Sequence, residues 1–229
     1  MEAFSRVKNL IGEKQFEKLQ ASSVAVFGVG GVGGFVAEAL VRSGIGSITL
    51  FDNDKVDKTN LNRQIIATND TIGVDKVDAI KQRLISINQN IKIKTYKVFY
   101  LPENANQFDF GEYDYIVDAV DTVSAKLEII SRAKATNKSV ISSMGTAGKL
   151  EIEKLKVGDI FDTKGCPLAR VMRRELKKRG IDKVKVVYSE ESVCSKENTE
   201  NRTPPSMIFV PATAGLMIAK EVVLDLIKG

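Results

Sequence analysis

A glycine-rich turn is the first segment of this 229-residue chain that is arranged for chemistry. Gly28, Gly30 and Gly33 follow the G-x-G-x-x-G spacing, directly after an apolar segment and before a helix-forming one. Glycines at this spacing allow a tight turn and a close approach of the backbone, and the following helix N-terminus favours phosphate oxygens. The turn therefore predicts a nucleotide site, with an empty glycine turn as the alternative. It does not distinguish nicotinamide, flavin, methyl-donor and ATP sites.

Charged side chains beyond the turn narrow the choice of nucleotide. Asp52 ends the second apolar segment, at a position where an acid typically binds ribose hydroxyls. Arg63 and Lys76 follow, and two cations suit a triphosphate chain, because the pyrophosphate of a dinucleotide is already served by the glycine turn. These residues favour ATP over NAD. A solvated charged loop is the alternative interpretation of the two cations.

A carboxylate further along the chain predicts a metal ligand. Asp121 lies just past a predicted strand, at the usual ligand crevice of a parallel sheet. The chain has no histidine, so an acid at this place is a natural ligand for magnesium; a helix-capping acid without metal is the alternative.

The lack of histidine also excludes a serine–histidine–acid triad. Cys166 and Cys194 are too few for a four-cysteine zinc site, and their roles stay open.

The elements that must position these residues alternate between strand and helix. Strands are predicted at 23–27, 47–51, 92–99, 113–119 and 139–143, and helices at 4–20, 35–43, 76–88 and 124–136. This alternation predicts an α/β fold, with a Rossmann-like, mostly parallel sheet and helices on both faces. We expect a single ATP-binding domain over 1–229, with a nucleotide-binding core at 1–150. The C-terminal section, 151–229, extends it with a basic helix, a mobile polar loop at 189–205 and a final strand and helix.

The net charge of +5 is concentrated in one window, since residues 164–185 contain nine basic and two acidic side chains. The helix predicted there carries Arg170, Arg173, Arg174, Lys177 and Lys178. Helical spacing places the first four on one face, so a stripe that follows nucleic-acid phosphates is one interpretation. A solvated helix face is the other.

Targeting signals are not evident in the sequence. The chain starts with charged residues and no apolar run behind them, which is not typical of a secretory signal. The late apolar stretch, 206–227, is interrupted by Pro211, Lys220, Glu221 and Asp225, so it does not read as a membrane span. We therefore expect a cytoplasmic protein that does not enter a membrane.

Five motifs, in order and spacing, resemble the ubiquitin-activating-enzyme-like adenylyltransferases. They are the turn 28–33, which includes Gly31, and then 52–56, 60–64, Lys76 and 118–121. The resemblance implies that Asp52 binds the ribose of ATP, and that Asn60, Arg63 and Lys76 bind its phosphates. Gln64, within the third motif, joins the expected ATP-binding residues. Asp121 is implied to hold magnesium and to be essential for adenylation.

The start of the chain is also similar to this family. Arg6, in the motif Phe-Ser-Arg, resembles the N-terminal arginine that the family sends across a homodimer interface into the neighbouring ATP site. The resemblance therefore implies a homodimer in which Arg6 joins Arg63, Lys76 and Asp121 in catalysis.

Later segments narrow the resemblance to one branch. Residues 125–127, 141–146, 167–176 and 209–212 closely resemble the branch that dehydrates threonylcarbamoyladenosine in tRNA. This implies that ATP activates the carboxylate of the threonylcarbamoyl group, and that intramolecular attack then closes a ring with release of AMP and pyrophosphate. A sulfur-relay protein accompanies some relatives, and the sequence leaves that partner open.

Other functions remain as alternatives. An adenylyltransferase that activates the C-terminus of a ubiquitin-like sulfur carrier usually has two C-x-x-C pairs, which this chain lacks. A nicotinamide-dependent oxidoreductase would explain Gly28 and Asp52 but leaves Arg63, Lys76 and Asp121 without a role. A binding module without enzyme activity is the last alternative.

Overall fold

The computed structural model describes residues 3–192 and 204–228. The strands are β1 (Ser23–Phe27), β2 (Ser47–Phe51), β3 (Lys92–Tyr96), β4 (Tyr115–Asp118), β5 (Ser139–Ser143), β6 (Leu155–Asp159) and β7 (Lys185–Ser189). The helices are α1 (Ser5–Ile11), α2 (Glu13–Ala21), α3 (Gly33–Arg42), α4 (Lys76–Ile87), α5 (Val123–Ala135), α6 (Pro167–Lys178) and α7 (Phe209–Lys228).

The strands form one sheet in the order β3-β2-β1-β4-β5-β7-β6. All neighbouring pairs are parallel except β6 and β7, which are antiparallel. The chain builds outward from β1 in one direction through β2 and β3, and then returns to β4 on the other side. In such sheets the carboxyl ends of the strands at the reversal form a ligand crevice, here between β1 and β4.

Apolar residues cover both faces of the sheet. Every residue of β1 from Val24 to Phe27 is fully buried, as expected of a central parallel strand. Because successive side chains point to opposite faces, Val24 and Val26 pack with α3, α4 and α7, whereas Ala25 and Phe27 pack with α5 and α6. The predicted α/β sheet with helices on both faces is confirmed.

One N-terminal helix was predicted at 4–20, and this prediction is wrong in one respect. The structure has two helices there, α1 and α2. Gly12 separates them with a φ of 87°, in the left-handed region that glycine adopts readily. Periodicity alone did not reveal the break, because charged residues occupy both sides of it. Strands β1, β2 and β5 have the bounds predicted for them.

The C-terminal section departs most from expectation. No strand occurs in the described residues 204–228, where one was predicted, and α7 begins instead at Phe209. The late apolar residues lie in α7, which packs against α3. The two helices are close together, because a Cβ atom added to Gly215 would lie 2.6 Å from the Val32 carbonyl oxygen. The section supplies β6 and β7 to the sheet, and β7 extends to Ser189, where the polar loop was expected to begin.

Two further expectations concern this section. Most of the predicted loop, residues 193–203, lies outside the described residues, and so does Cys194. Among the described helices, none has the length and apolar character needed to cross a membrane.

Candidate functional site

A cleft of about 500 Å³ opens at the carboxyl ends of the parallel strands, at the reversal of strand order. Nine of the residues predicted to surround a nucleotide line it: Gly28, Gly30, Gly31, Asp52, Asn60, Arg63, Gln64, Lys76 and Asp121. They come from four different loops or helix starts. The fold therefore brings together residues separated by more than ninety positions, and their individual roles remain predictions.

The glycines of the turn have two different structural roles. Gly28 has a φ of 83°, and a Cβ atom there would lie 2.7 Å from the Ala119 carbonyl oxygen; at Gly33 it would overlap the Gly28 carbonyl oxygen. These two glycines allow close packing, and Gly33 is not part of the cleft wall. Gly30 and Gly31 line the cleft, and a Cβ atom added there would lie in ordinary contact with side chains, 3.7 Å from Gln64 Nε2 and 3.5 Å from Arg63 Cγ.

Asp52 connects two loops at the end of β2. Its Oδ2 accepts a hydrogen bond from the Val29 N–H at 2.8 Å, and its Oδ1 accepts one from the Asp54 N–H at 2.9 Å. Burial raises the pKa of this carboxyl, and the charge of Lys76 and the two N–H groups offset only part of that effect. Each carboxylate oxygen can accept a further bond, so the arrangement suits ribose hydroxyls.

The two predicted phosphate-binding cations are held by their neighbours. Lys76, the first residue of α4, is 6% exposed, and its Nζ lies 2.7 Å from Asp54 Oδ2. The Arg63 guanidinium donates to the Thr59 carbonyl oxygen at 2.9 Å. Asp54 is a site residue that sequence reasoning missed, since an acid on a polar loop also fits a plain surface role. Its spacing of two residues from Asp52 was the available signal.

Two amide side chains complete the wall near the glycine turn. Asn60 Oδ1 accepts from the Asp57 N–H at 3.0 Å, which fixes the short helical turn before Arg63. Gln64 is 6% exposed, and its Oε1 accepts no hydrogen bond within the described part of the chain. Because buried polar atoms are nearly always paired, this oxygen is suited to receive a donor from a ligand.

One side of the cleft is apolar. The rings of Phe27 and Phe51 stack with centroids 4.2 Å apart, and Tyr100 meets Phe27 edge-on at 4.8 Å. Val98 and Phe99 continue this side, after the end of β3. The cleft thus has an aromatic side and a polar side, as a purine nucleotide requires.

Asp121 is an exposed carboxylate on the loop between β4 and α5. Its Oδ1 accepts from the Thr122 hydroxyl at 3.3 Å. No group of three or more metal-binding side chains occurs in residues 3–192 and 204–228. Magnesium is commonly held by one or two carboxylates together with phosphate oxygens and water, so a single acid beside the residues predicted to bind phosphate fits this metal and not an all-protein cage.

The remaining predicted site residues lie outside the cleft wall. Arg6 is exposed on α1 and does not reach the cleft of its own chain. On α6, Arg170, Arg174, Lys177 and Lys178 are exposed. Arg173 is not part of the same exposed stripe: its guanidinium donates to the Thr163 carbonyl oxygen at 2.9 Å and is half-buried. Helical spacing could not reveal this contact, because Thr163 lies before the helix.

The start of α6 borders the cleft. Leu168 lines it, and so do residue 143 at the end of β5 and the following loop, 144–147. Cys166, next to this loop, is buried, with its Sγ 3.6 Å from a Cβ atom added to Gly145. The basic helix therefore leads from the edge of the cleft over the surface of the protein.

These features define a Rossmann-like nucleotide-binding protein with a triphosphate-type site at the switch point of its sheet. The chain belongs to the ThiF family, whose model matches residues 4–223. The family resemblance noted in the sequence is thereby confirmed.

The similarity to individual relatives supports the assignment to this family. The chain is 42% identical to a tRNA threonylcarbamoyladenosine dehydratase of Bacillus subtilis, over 98% of this chain and 94% of that protein. It is 35% identical to the Escherichia coli enzyme of the same name, over 76% of this chain and 65% of that protein. The crystal structure of the E. coli dehydratase in complex with ATP matches with a TM-score of 0.92 and 30% identity, over 98% of this chain and 93% of that one.

Proposed function

We propose that this protein is an ATP-dependent enzyme that dehydrates threonylcarbamoyladenosine in tRNA to its cyclic form. The observation that carries the proposal is the 42% identity to the B. subtilis dehydratase over nearly the whole of both chains. The cleft supports it independently, because it combines a glycine turn, a partly buried acid, two cations and an exposed carboxylate.

ATP binding uses both sides of the cleft. The adenine ring packs on the side formed by Phe27, Phe51 and Phe99, and Asp52 accepts hydrogen bonds from the ribose hydroxyls. The phosphates lie against Gly30 and Gly31, which line the cleft beside Arg63 and Gln64.

Catalysis proceeds in two steps. A carboxylate oxygen of the threonylcarbamoyl group attacks the α-phosphorus of ATP, the bond to the bridging oxygen breaks, and pyrophosphate leaves. Asn60, Arg63 and Lys76 stabilise the charge that develops on the pyrophosphate. A nucleophilic atom of the substrate's own carbamoyl-adenine part then attacks the activated carbonyl carbon and loses a proton. AMP leaves with the former carboxylate oxygen, so the nucleoside loses one water overall.

Asp121 would hold magnesium, which neutralises phosphate charge when it is bound. The side chain is exposed and carries no ion pair among the described residues, so it is available to a metal. Asp121 thus orients the phosphates and does not accept a proton.

The tRNA lies against α6. Arg170, Arg174 and Lys177 present an exposed basic stripe, and Leu168 at the start of the same helix lines the cleft. Contacts to the sugar–phosphate backbone along α6 would place a modified base, turned out of its stack, at the mouth of the cleft.

The working unit is a homodimer in the cytoplasm. Arg6 of one protomer enters the ATP site of its partner, which accounts for an arginine on α1 that does not reach the cleft of its own chain. A sulfur-relay protein is a further partner under this proposal.

Mass analysis of tRNA nucleosides tests the proposed function. The protein is incubated with tRNA that carries linear threonylcarbamoyladenosine, with and without magnesium and ATP. We expect the nucleoside to lose the mass of one water only when ATP is present. Formation of AMP without that change would favour a protein carrier as the substrate, whereas neither AMP nor a mass change would contradict the catalytic assignment.

A further inference from the structure

A fully buried ion pair lies directly beneath the loop that carries Asp121. Lys126, on the first turn of α5, and Asp118, the last residue of β4, are both 0% exposed, and Lys126 Nζ lies 2.9 Å from Asp118 Oδ2. The Ser142 hydroxyl on β5 donates to the same carboxylate oxygen at 2.5 Å. None of these three side chains lines the cleft, and the mechanism above does not use them.

The pair holds both backbone groups of Val120, the residue before Asp121. Lys126 Nζ donates to the Val120 carbonyl oxygen at 2.9 Å, and the Val120 N–H donates to Asp118 Oδ1 at 3.3 Å. The Lys126 N–H also donates to the Thr122 carbonyl oxygen at 3.0 Å. Asp121 therefore lies between Val120, whose backbone is bonded to both side chains of the pair, and Thr122, the N-cap of α5, which is bonded to the main chain of Lys126.

The same loop also sets the position of the glycine turn. Ala119 donates its N–H to the Phe27 carbonyl oxygen at 2.8 Å, and its own carbonyl oxygen occupies the space that a Cβ atom at Gly28 would need. A shift of this loop would move Asp121 and would also change its packing against the phosphate-binding turn.

Burial of two charges is not an efficient way to stabilise a protein. Replacing a buried ion pair with apolar residues of similar volume is often neutral or stabilising, whereas removing one partner leaves an uncompensated charge. The charges here have a geometric consequence instead: the ammonium binds a carbonyl oxygen next to Asp121 and neutralises Asp118, so that Asp121 is left as the exposed carboxylate of this loop.

We infer that Asp118 and Lys126 are positioning residues that orient the Val120–Asp121 backbone for binding of magnesium and ATP. Residues that orient a metal ligand typically affect metal affinity or activity by about 10- to 100-fold when they are replaced. This inference rests on the role proposed for Asp121 and does not depend on the identity of the tRNA substrate.

The test compares four proteins: the wild type, Lys126→Met, the double variant Asp118→Asn/Lys126→Met, and Lys134→Met as a control. Lys134 is an exposed lysine on the same helix. The gain in ATP affinity on adding Mg²⁺ is measured by calorimetry, and amide hydrogen exchange of residues 119–122 is followed by mass spectrometry. Thermal unfolding shows whether each variant is folded.

Lys126→Met and the double variant are expected to lose about 10-fold or more of the magnesium-dependent gain and to exchange the 119–122 amides faster. Lys134→Met should match the wild type. If Lys126→Met does not fold, the double variant carries the test, because it leaves no buried charge unpaired. A folded double variant with the full magnesium-dependent gain would overturn the inference, since the pair would then serve stability alone.

The outcomes separate this inference from the proposed function. In one outcome the wild type gains affinity with Mg²⁺ and the variants lose that gain, but the tRNA is not dehydrated. The proposed substrate is then wrong, and the positioning role is supported. If the wild type binds ATP equally with and without Mg²⁺, the metal role of Asp121 fails and the inference fails with it.

Discussion

At the scale of single residues, Asp121 differs from the other acids of the cleft. Asp52 is held by two backbone N–H groups and Asp54 by Lys76, whereas Asp121 is bonded to the hydroxyl of Thr122. Its side chain is exposed, so its removal leaves the packing of the core unchanged.

Asp121→Ala should therefore abolish most activity without unfolding the protein. We expect the dehydration rate to fall by at least about 100-fold, as after removal of other groups that stabilise charge in a transition state. Rates measured by nucleoside mass analysis, with circular dichroism to verify the fold, test this. Glu103→Ala, at an exposed acid outside the cleft, is the control, and turnover by Asp121→Ala at the wild-type rate would exclude a metal role.

Arg63→Ala and Lys76→Ala should each slow the reaction by about 10- to 1,000-fold, because each removes a cation from the developing pyrophosphate charge. Loss of the ion pair in Lys76→Ala should change the free energy of unfolding little, because the partner Asp54 is well exposed. Lys58→Ala, at an exposed lysine of the same loop, serves as the control. Wild-type rates in both variants would mean that neither side chain meets the phosphates.

At the scale of elements, α6 carries the expected contact with nucleic acid. We predict that the triple variant Arg170→Glu/Arg174→Glu/Lys177→Glu weakens tRNA binding and lowers the slope of log K against log salt by about 2 to 3, roughly one for each lost phosphate contact. Arg173→Met is the matched control, because that guanidinium is bonded to Thr163. An unchanged salt slope in the triple variant would place the tRNA surface elsewhere.

Helices α3 and α4 are joined by a buried carboxylate. Glu38 on α3 contacts Arg42 at 2.8 Å and Arg83 of α4 at 2.5 Å. Burial raises the pKa of Glu38, but the hydrogen bonds and charges of Arg83 and Arg42 together outweigh it, so the net pKa is lowered from its ordinary 4.5. The stability this group contributes is therefore present above pH 4.5 and is lost as the pH falls through the lowered value.

Glu38→Gln should reduce the free energy of unfolding at pH 7 by about 1.5 to 3 kcal/mol, the usual range for hydrogen bonds to a charged group. The difference from the wild type should shrink as the pH falls from 4.5 through the lowered value, because the carboxyl of the unfolded chain gains its proton first and that of the folded protein follows. Urea unfolding at several pH values measures it. A difference that is constant down to pH 3 would show that the charge of Glu38 is not involved.

At the scale of the whole molecule, the cleft is formed by loops from distant parts of the chain, so a bound nucleotide should stabilise the fold as a unit. At 100 times the dissociation constant, ATP is expected to add about 2.7 kcal/mol. That corresponds to an increase in Tm of roughly 5 to 10 °C for a domain of this size. Thermal unfolding with ATP, and with NAD⁺ as the control, measures it, and greater protection by NAD⁺ would favour an oxidoreductase.

The sequence by itself determined the features that depend on neighbouring residues. Apolar runs ended by Gly28 and Asp52 predicted β1 and β2, and the glycine spacing predicted the turn into α3. These predictions held because strand propensity and turn geometry act over a few residues. The rule that ligands bind at the carboxyl ends of parallel strands then placed Asp121 near the turn, although the two are far apart in sequence.

Only the tertiary structure decided which contacts those residues make. Asp54 pairs with Lys76, Arg173 turns toward Thr163, and Lys126 lies buried against Asp118. The apolar residues before Phe209 form no strand, and α7 packs across α3 instead. Each of these outcomes depends on a partner brought close by folding of the chain, and propensity or periodicity along one segment contains no information about that partner.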